Sequence, residues 1–127
     1  MIVDVIRLKE ISEIEFHEIV KDVIIQDINQ LRIIFIDDSF VEVWYSLKLV
    51  DRFSYHWERR HIDGSVYRHD NAPHKKWSTL STFPKHFHNG NEDQVTESYL
   101  EDDPETGLRA FLSFIRRQMN ETGLNSK

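Results

Sequence analysis

The 127-residue sequence contains no cysteine, which excludes a disulfide framework and every thiolate zinc site. No apolar run approaches the roughly 20 residues that cross a bilayer. The first residues, MIVDVIRLKEISE, lack the basic-then-apolar order of a secretory leader. There is no internal repeat, no low-complexity tract and no linker that would divide the chain. Several enzyme signatures are also missing: no P-loop, no G-x-G-x-x-G, no H-E-x-x-H, no nucleophile elbow and no Ser-His-Asp order. What remains is a single domain over residues 1–127, with residues 122–127 expected to fray. It is long enough to close one core without staples. A cytoplasmic location is expected, with no membrane contact.

The net charge is −6, which argues against indiscriminate nucleic-acid binding. The charge is unevenly spread. Residues 52–88 hold Arg52, Arg59, Arg60, Arg68, Lys75, Lys76 and Lys85 against Glu58, Asp63 and Asp70, while the rest of the chain is strongly acidic. The same segment carries six of the seven histidines. A basic centre on an acidic body suggests a local anion site. The bland alternative is that these charges pair across the fold.

The periodicity predicts an α+β domain. Residues 12–26 read as helix or strand. Ser12 with Glu15 has the form of a capping box, so a short helix over 12–20 followed by a strand near 22–26 is preferred. Residues 30–36 (QLRIIFI) and 40–47 (FVEVWYSL) flank the turn DDS and predict a hairpin. In residues 52–62, Phe53, Tyr55 and Trp57 alternate with Ser54, His56 and Glu58. That strand is expected to continue through Arg60 on the His56 face and His61 on the other. Asp63-Gly64 then turns the chain into residues 65–70. Asp103 and Pro104 mark a helix start. The stripe Leu108, Phe111, Leu112, Ile115 and Met119 predicts a core-facing helix. Arg116 and Arg117 are expected near its C-terminal end, and Gly123 is expected to stop it. The sum is an antiparallel sheet of about four to six strands, with the C-terminal helix and a short N-terminal helix on one face.

Two segments concentrate chemistry: RHDNAPHKKW (68–77) and FPKHFHNG (83–90). In an extended segment His86 and His88 share a side and Phe87 takes the other. Two imidazoles so placed can move protons as base and acid, with His56 or His74 as partner. Arg68, Arg60 and Lys85 are the candidates for phosphate contacts, since a guanidinium offers two parallel bonds. Asp70, Asn71, Pro73 and Pro84 are read as residues that frame the loop. These parts suit metal-independent RNA cleavage, which needs a base for the 2′-hydroxyl, an acid for the leaving oxygen and cations for the phosphate. Trp77 can stack on an unpaired base. No cofactor is required. If a metal were bound, His74, His86 and His88, with Asp70, would be the ligands. Two other readings stay open: a non-enzymatic protein- or nucleic-acid-binding module, and a metal-dependent hydrolase.

The pattern Y-H-W, then G-x-x-Y-R-H-D-N-A-P-H and T-F-P-K-H-F-H-N-G, resembles the TumE-like family of small prokaryotic proteins. The resemblance spans roughly residues 30–120 and includes the IDDS turn. Family members often carry a second histidine after the D-N-A-P-H element, where this chain has Lys75. The resemblance implies a cytoplasmic toxin of a toxin–antitoxin module, held by an antitoxin that is often a helix-turn-helix DNA-binding protein. It brings no assigned catalytic residues. An exposed edge strand can pair two copies, so a homodimer is a further expected assembly.

Overall fold

The computed structural model describes residues 2–125, with side chains through residue 121. The chain order is α1 (Val5–Glu15), β1 (Val20–Asp27), β2 (Gln30–Phe35), β3 (Phe40–Tyr45), β4 (Phe53–Arg59), α2 (Arg60–Asp63), β5 (Ser65–Asp70), β6 (His86–Gly90), β7 (Val95–Glu97) and α3 (Pro104–Asn125). The seven strands form one antiparallel meander in the order β1-β2-β3-β4-β5-β6-β7. The class is α+β, and the sheet is larger than the four to six strands expected. The extra strand, β7, has three residues, too few to show alternation in sequence.

The pleat divides the sheet into two unlike faces. Leu31, Ile33 and Phe35 of β2, Val41 and Val43 of β3, and Phe53, Tyr55 and Trp57 of β4 are all buried on one face. They join Leu8 and Ile11 of α1 and Leu108, Phe111, Leu112 and Ile115 of α3 in a single apolar cluster. Burial of that area is the main force that holds the helices to the sheet. At the start of α3, Asp103 Oδ2 accepts from the Thr106 amide at 3.0 Å. Gly107 lies there with only 2.8 Å between an ideal Cβ position and the Glu101 carbonyl oxygen. A larger residue would push α3 off the chain beneath it.

Three local expectations change. First, α1 begins at Val5, because the Asp4 carboxylate accepts from the Arg7 amide at 3.0 Å. Ser12 is not a cap: it is buried inside α1 and donates to the Leu8 carbonyl at 2.8 Å. Phe16, Ile19 and Val23 are all buried but straddle a helix end and a strand, so their helical spacing was misleading. Second, β4 ends at Arg59. Arg60 and His61 turn into α2, which closes at Gly64 with φ of 79°, a conformation glycine adopts without strain. Third, α3 runs past Gly123 to Asn125. Arg116 is therefore far from the helix end and pairs with Glu18 at 2.8 Å instead. Of the expected frayed tail, residues 126–127 lie outside the described residues.

Among the described residues no helix is long and apolar enough to cross a membrane.

Candidate functional site: a histidine cavity on the open face

The face away from the helices carries a polar ladder. Across the strands, Arg32 opposes Glu42, Glu42 opposes His56, His56 opposes Arg68, and Arg68 opposes His88. The adjoining row sets Ser54 against Asp70 and Asp70 against His86. Antiparallel pairing of β5 with β6 thus places Arg68, Asp70, His86 and His88 on one face, beside His56. His69 and Phe87 fall on the other face.

The segment between β5 and β6 folds back over this face. Asp70 Oδ1 accepts from the Ala72 amide at 2.7 Å. Asn71 ties the segment to the β3–β4 loop, since its Oδ1 accepts from the Phe53 amide at 2.9 Å and its Nδ2 donates to the Asp51 carbonyl at 2.5 Å. Pro73 precedes a single 3-10 turn, Lys75–Trp77. The turn sets the Trp77 ring 6.1 Å from His86 and 5.9 Å from His88, centroid to centroid. The Phe83–Pro84 peptide is cis, and the chain then enters β6. Arg68, Asp70, His74, Trp77, His86, His88 and Glu92 line the resulting cavity of about 330 Å³, together with Ala72, Lys76 and Asp93.

Hydrogen bonds specify which nitrogen of each imidazole carries a proton. A carbonyl only accepts, so His86 donates from Nδ1 to the Pro84 carbonyl at 2.9 Å. Its Nε2 is left with the lone pair when the ring is neutral. His88 likewise donates from Nδ1 to the Glu92 carbonyl at 2.9 Å, but its Nε2 accepts from Arg68 Nη2 at 3.0 Å. The two rings lie 5.1 Å apart. Burial lowers the His88 pKa, and the Arg68 charge lowers it further, against the opposing pull of the Glu92 carbonyl. His74 has the complementary arrangement. Its Nδ1 accepts from the Lys76 amide at 3.1 Å, so the neutral ring holds its proton on Nε2. His56 Nε2 lies 3.0 Å from Glu58 Oε1. The Arg60 side chain, chiefly, and His56 hold the Glu58 carboxyl down to about 2, so the pair is His56 N–H to carboxylate.

The basic segment is largely neutralised. Arg59 pairs with Asp37 at 2.6 Å, Arg60 with Glu58 at 2.6 Å, Arg68 with Glu92 at 2.9 Å and Lys85 with Asp102 at 3.4 Å. The acids at 37, 92 and 102 come from outside residues 52–88, so the acidic body reaches in to meet the basic centre. In the cavity wall two cations, Arg68 and Lys76, face three carboxylates, Asp70, Glu92 and Asp93.

Of the residues singled out from sequence, His74, His86, His88, Arg68 and Asp70 meet in the cavity, and His56 adjoins them through Arg68. Arg60 does not enter it, because α2 carries it off the pleat and its guanidinium is spent on Glu58. Lys85 does not either: it turns to the helix side and donates to the Leu100 carbonyl at 2.8 Å. Among the described residues no group of three His, Asp or Glu side chains converges as a metal shell. Two wall residues, Glu92 and Asp93, went unforeseen. Their only signal was acidity in the loop after H-x-H.

The remaining motif residues have a structural task. Asp37 accepts from Ser39 Oγ at 2.5 Å and from Arg59 Nη1 at 2.6 Å, and Trp57 Nε1 donates to Ser39 Oγ at 2.9 Å. The IDDS turn and the tryptophan of Y-H-W therefore lock the β2–β3 turn to β4.

The family model described as Toxin TumE matches residues 2–119. The chain belongs to the TumE toxin family. No curated protein and no solved structure matches it. For this TumE-family chain the motifs D-N-A-P-H and K-H-F-H thus both contribute residues to one cavity, while I-D-D-S and the tryptophan of Y-H-W brace the sheet.

Proposed function

We propose that this protein is a toxin that cleaves RNA without a metal, with His86 as the proton-abstracting base. The observation that carries this reading is the open Nε2 of His86 in a cavity it shares with His74 and Arg68. In this scheme His86 Nε2 takes the proton of a 2′-hydroxyl as that oxygen attacks the phosphorus. Arg68 binds the oxygens on which charge grows. His74 presents its Nε2–H toward the leaving 5′-oxygen. It becomes a full proton donor once the Lys76 amide releases Nδ1, a hydrogen bond at an exposed loop, and Nδ1 takes a proton from solvent, so that the ring returns to neutral when Nε2 protonates the leaving oxygen. Trp77 supplies a wall on which a base can stack. His88, whose Nε2 is engaged by Arg68, positions the guanidinium rather than moving protons. An antitoxin protein is the proposed partner, and the toxin acts inside the cell that makes it.

The test is RNA cleavage by the purified chain, with and without chelator, beside His86→Gln. Loss of a positioned base should slow cleavage by about 10²–10⁴-fold, while the melting temperature shows that the fold persists. Undiminished cleavage by His86→Gln overturns the assignment. No cleavage by the wild type favours the second reading, a non-enzymatic docking module. The excess of carboxylates over fixed cations in the cavity wall supports that second reading.

A further inference from the structure

Arg68 is the guanidinium of the cavity, and its fork is already filled. Nη1 donates to Glu92 Oε1 and Nη2 to Glu92 Oε2, each at 2.9 Å. This is the paired geometry that also grips two oxygens of a phosphate. Nη2 donates in addition to His88 Nε2 at 3.0 Å. Nε of Arg68 is buried with no hydrogen-bond partner, and the nearest carboxylate oxygen, Asp70 Oδ2, stands 3.6 Å away. A phosphate can take the same two N–H bonds and brings more negative charge to them than a carboxylate does.

Glu92 is built to be displaced. Its side chain is 43% exposed, against 23% for Arg68, so it lies on the solvent side of the pair. Its main chain is fixed independently, because the Glu92 carbonyl accepts from His88 Nδ1 and Asn91 Oδ1 accepts from the amides of Asp93 and Gln94. The side chain can therefore swing out while the loop stays. Burial opposes ionisation of Glu92, yet the Arg68 hydrogen bonds and charge prevail and lower its pKa.

We propose that Arg68 is a phosphate-group site and that Glu92 is its resident occupant, a carboxylate that holds the fork until a phosphate displaces it. The identity of that phosphate as part of an RNA backbone rests on the function proposed above. The slot itself rests on the fork and the exposed glutamate.

The experiment titrates inorganic phosphate into the full chain at constant ionic strength and follows the His88 ring resonances. Glu92→Ala should bind phosphate roughly twofold to fivefold more tightly than the wild type, the scale set by freeing a partly exposed ion pair. Glu92→Gln should fall between them, and Glu92→Ala/Arg68→Met should lose the gain. Unchanged or weaker binding by Glu92→Ala, or a gain that survives loss of Arg68, overturns the inference. Tighter phosphate binding without RNA cleavage keeps the slot and removes the ribonuclease. RNA cleavage without tighter phosphate binding removes the slot alone.

Discussion

His69 and His88 stand on neighbouring strands of one sheet, one residue off a shared row, and their environments are opposite. His69 points to the helix side. It stacks on Phe87 at 4.2 Å, meets Phe111 edge-on at 5.4 Å, and shares a 2.7 Å hydrogen bond with Ser98. Burial, chiefly, holds its pKa down to about 4. His69 is half-buried, whereas His88 is buried, but among polar groups: Arg68, the Glu92 carbonyl and the ring of His86. Inaccessibility alone does not make a histidine structural. What separates the two is whether the ring meets apolar packing with one hydroxyl or a connected set of donors and acceptors, since each lines a cavity.

The helix face should be the costly one to disturb. Trp57 is fully buried and donates to Ser39. Trp57→Ala should cost about 4 kcal/mol, read as a fall in urea midpoint or outright failure to fold. An equal loss from His56→Ala on the open face would erase the distinction between the faces.

The next effect is one of pH. His69 has a folded pKa of about 4, below the 6.5 of an unperturbed imidazole. The folded state therefore binds the proton less readily than the unfolded chain. The stability this contributes is fully present above pH 6.5 and is lost as pH falls toward 4. The depression corresponds to about 3 kcal/mol. In urea melts between pH 7.5 and 4, His69→Gln should follow a flatter curve than the wild type, by that difference. Parallel curves would show that His69 is not held neutral by its packing.

A smaller effect should come from its one polar contact. Ser98 is buried, and Ser98→Ala leaves the His69 ring nitrogen without its partner. A cost of about 1–2 kcal/mol follows. A neutral result would mean that water reaches His69.

The smallest effect belongs to the open face. Arg32 donates from Nε to Glu42 at 2.8 Å across the β2–β3 pair, with its Nη2 on the same carboxylate. Both side chains are partly exposed, so a double-mutant cycle should return about 0.5 kcal/mol, reduced by salt. A coupling several times larger would make the polar ladder a structural element in its own right.

Much of this was legible without coordinates, and particular residues show why. The alternation of Phe53, Tyr55 and Trp57 with Ser54 and His56 sets which side chains of β4 face the core, because a pleat has period two. Asp103-Pro104 and the stripe Leu108–Phe111–Leu112–Ile115 specify the start and inner face of α3. The H-x-H spacing alone puts His86 and His88 on the same side of a strand. These are local facts, decided by backbone geometry over a few residues.

The rest depended on residues far apart in the chain. Arg68 meets Glu92 24 positions away, and Arg59 meets Asp37 22 positions away. A list of charges cannot say which acid reaches which base, so the basic segment read as an anion site although most of its cations are paired. The roles of the histidines were likewise undecided. A tautomer is set by the carbonyl or amide that the other ring nitrogen meets, and those partners come from the loops around Pro84, Lys76 and Glu92. The sequence by itself determined the sheet, the core face and the pair of histidines. Only the tertiary structure decided which histidine keeps an open nitrogen, and that the arginine beside it is already held by a carboxylate.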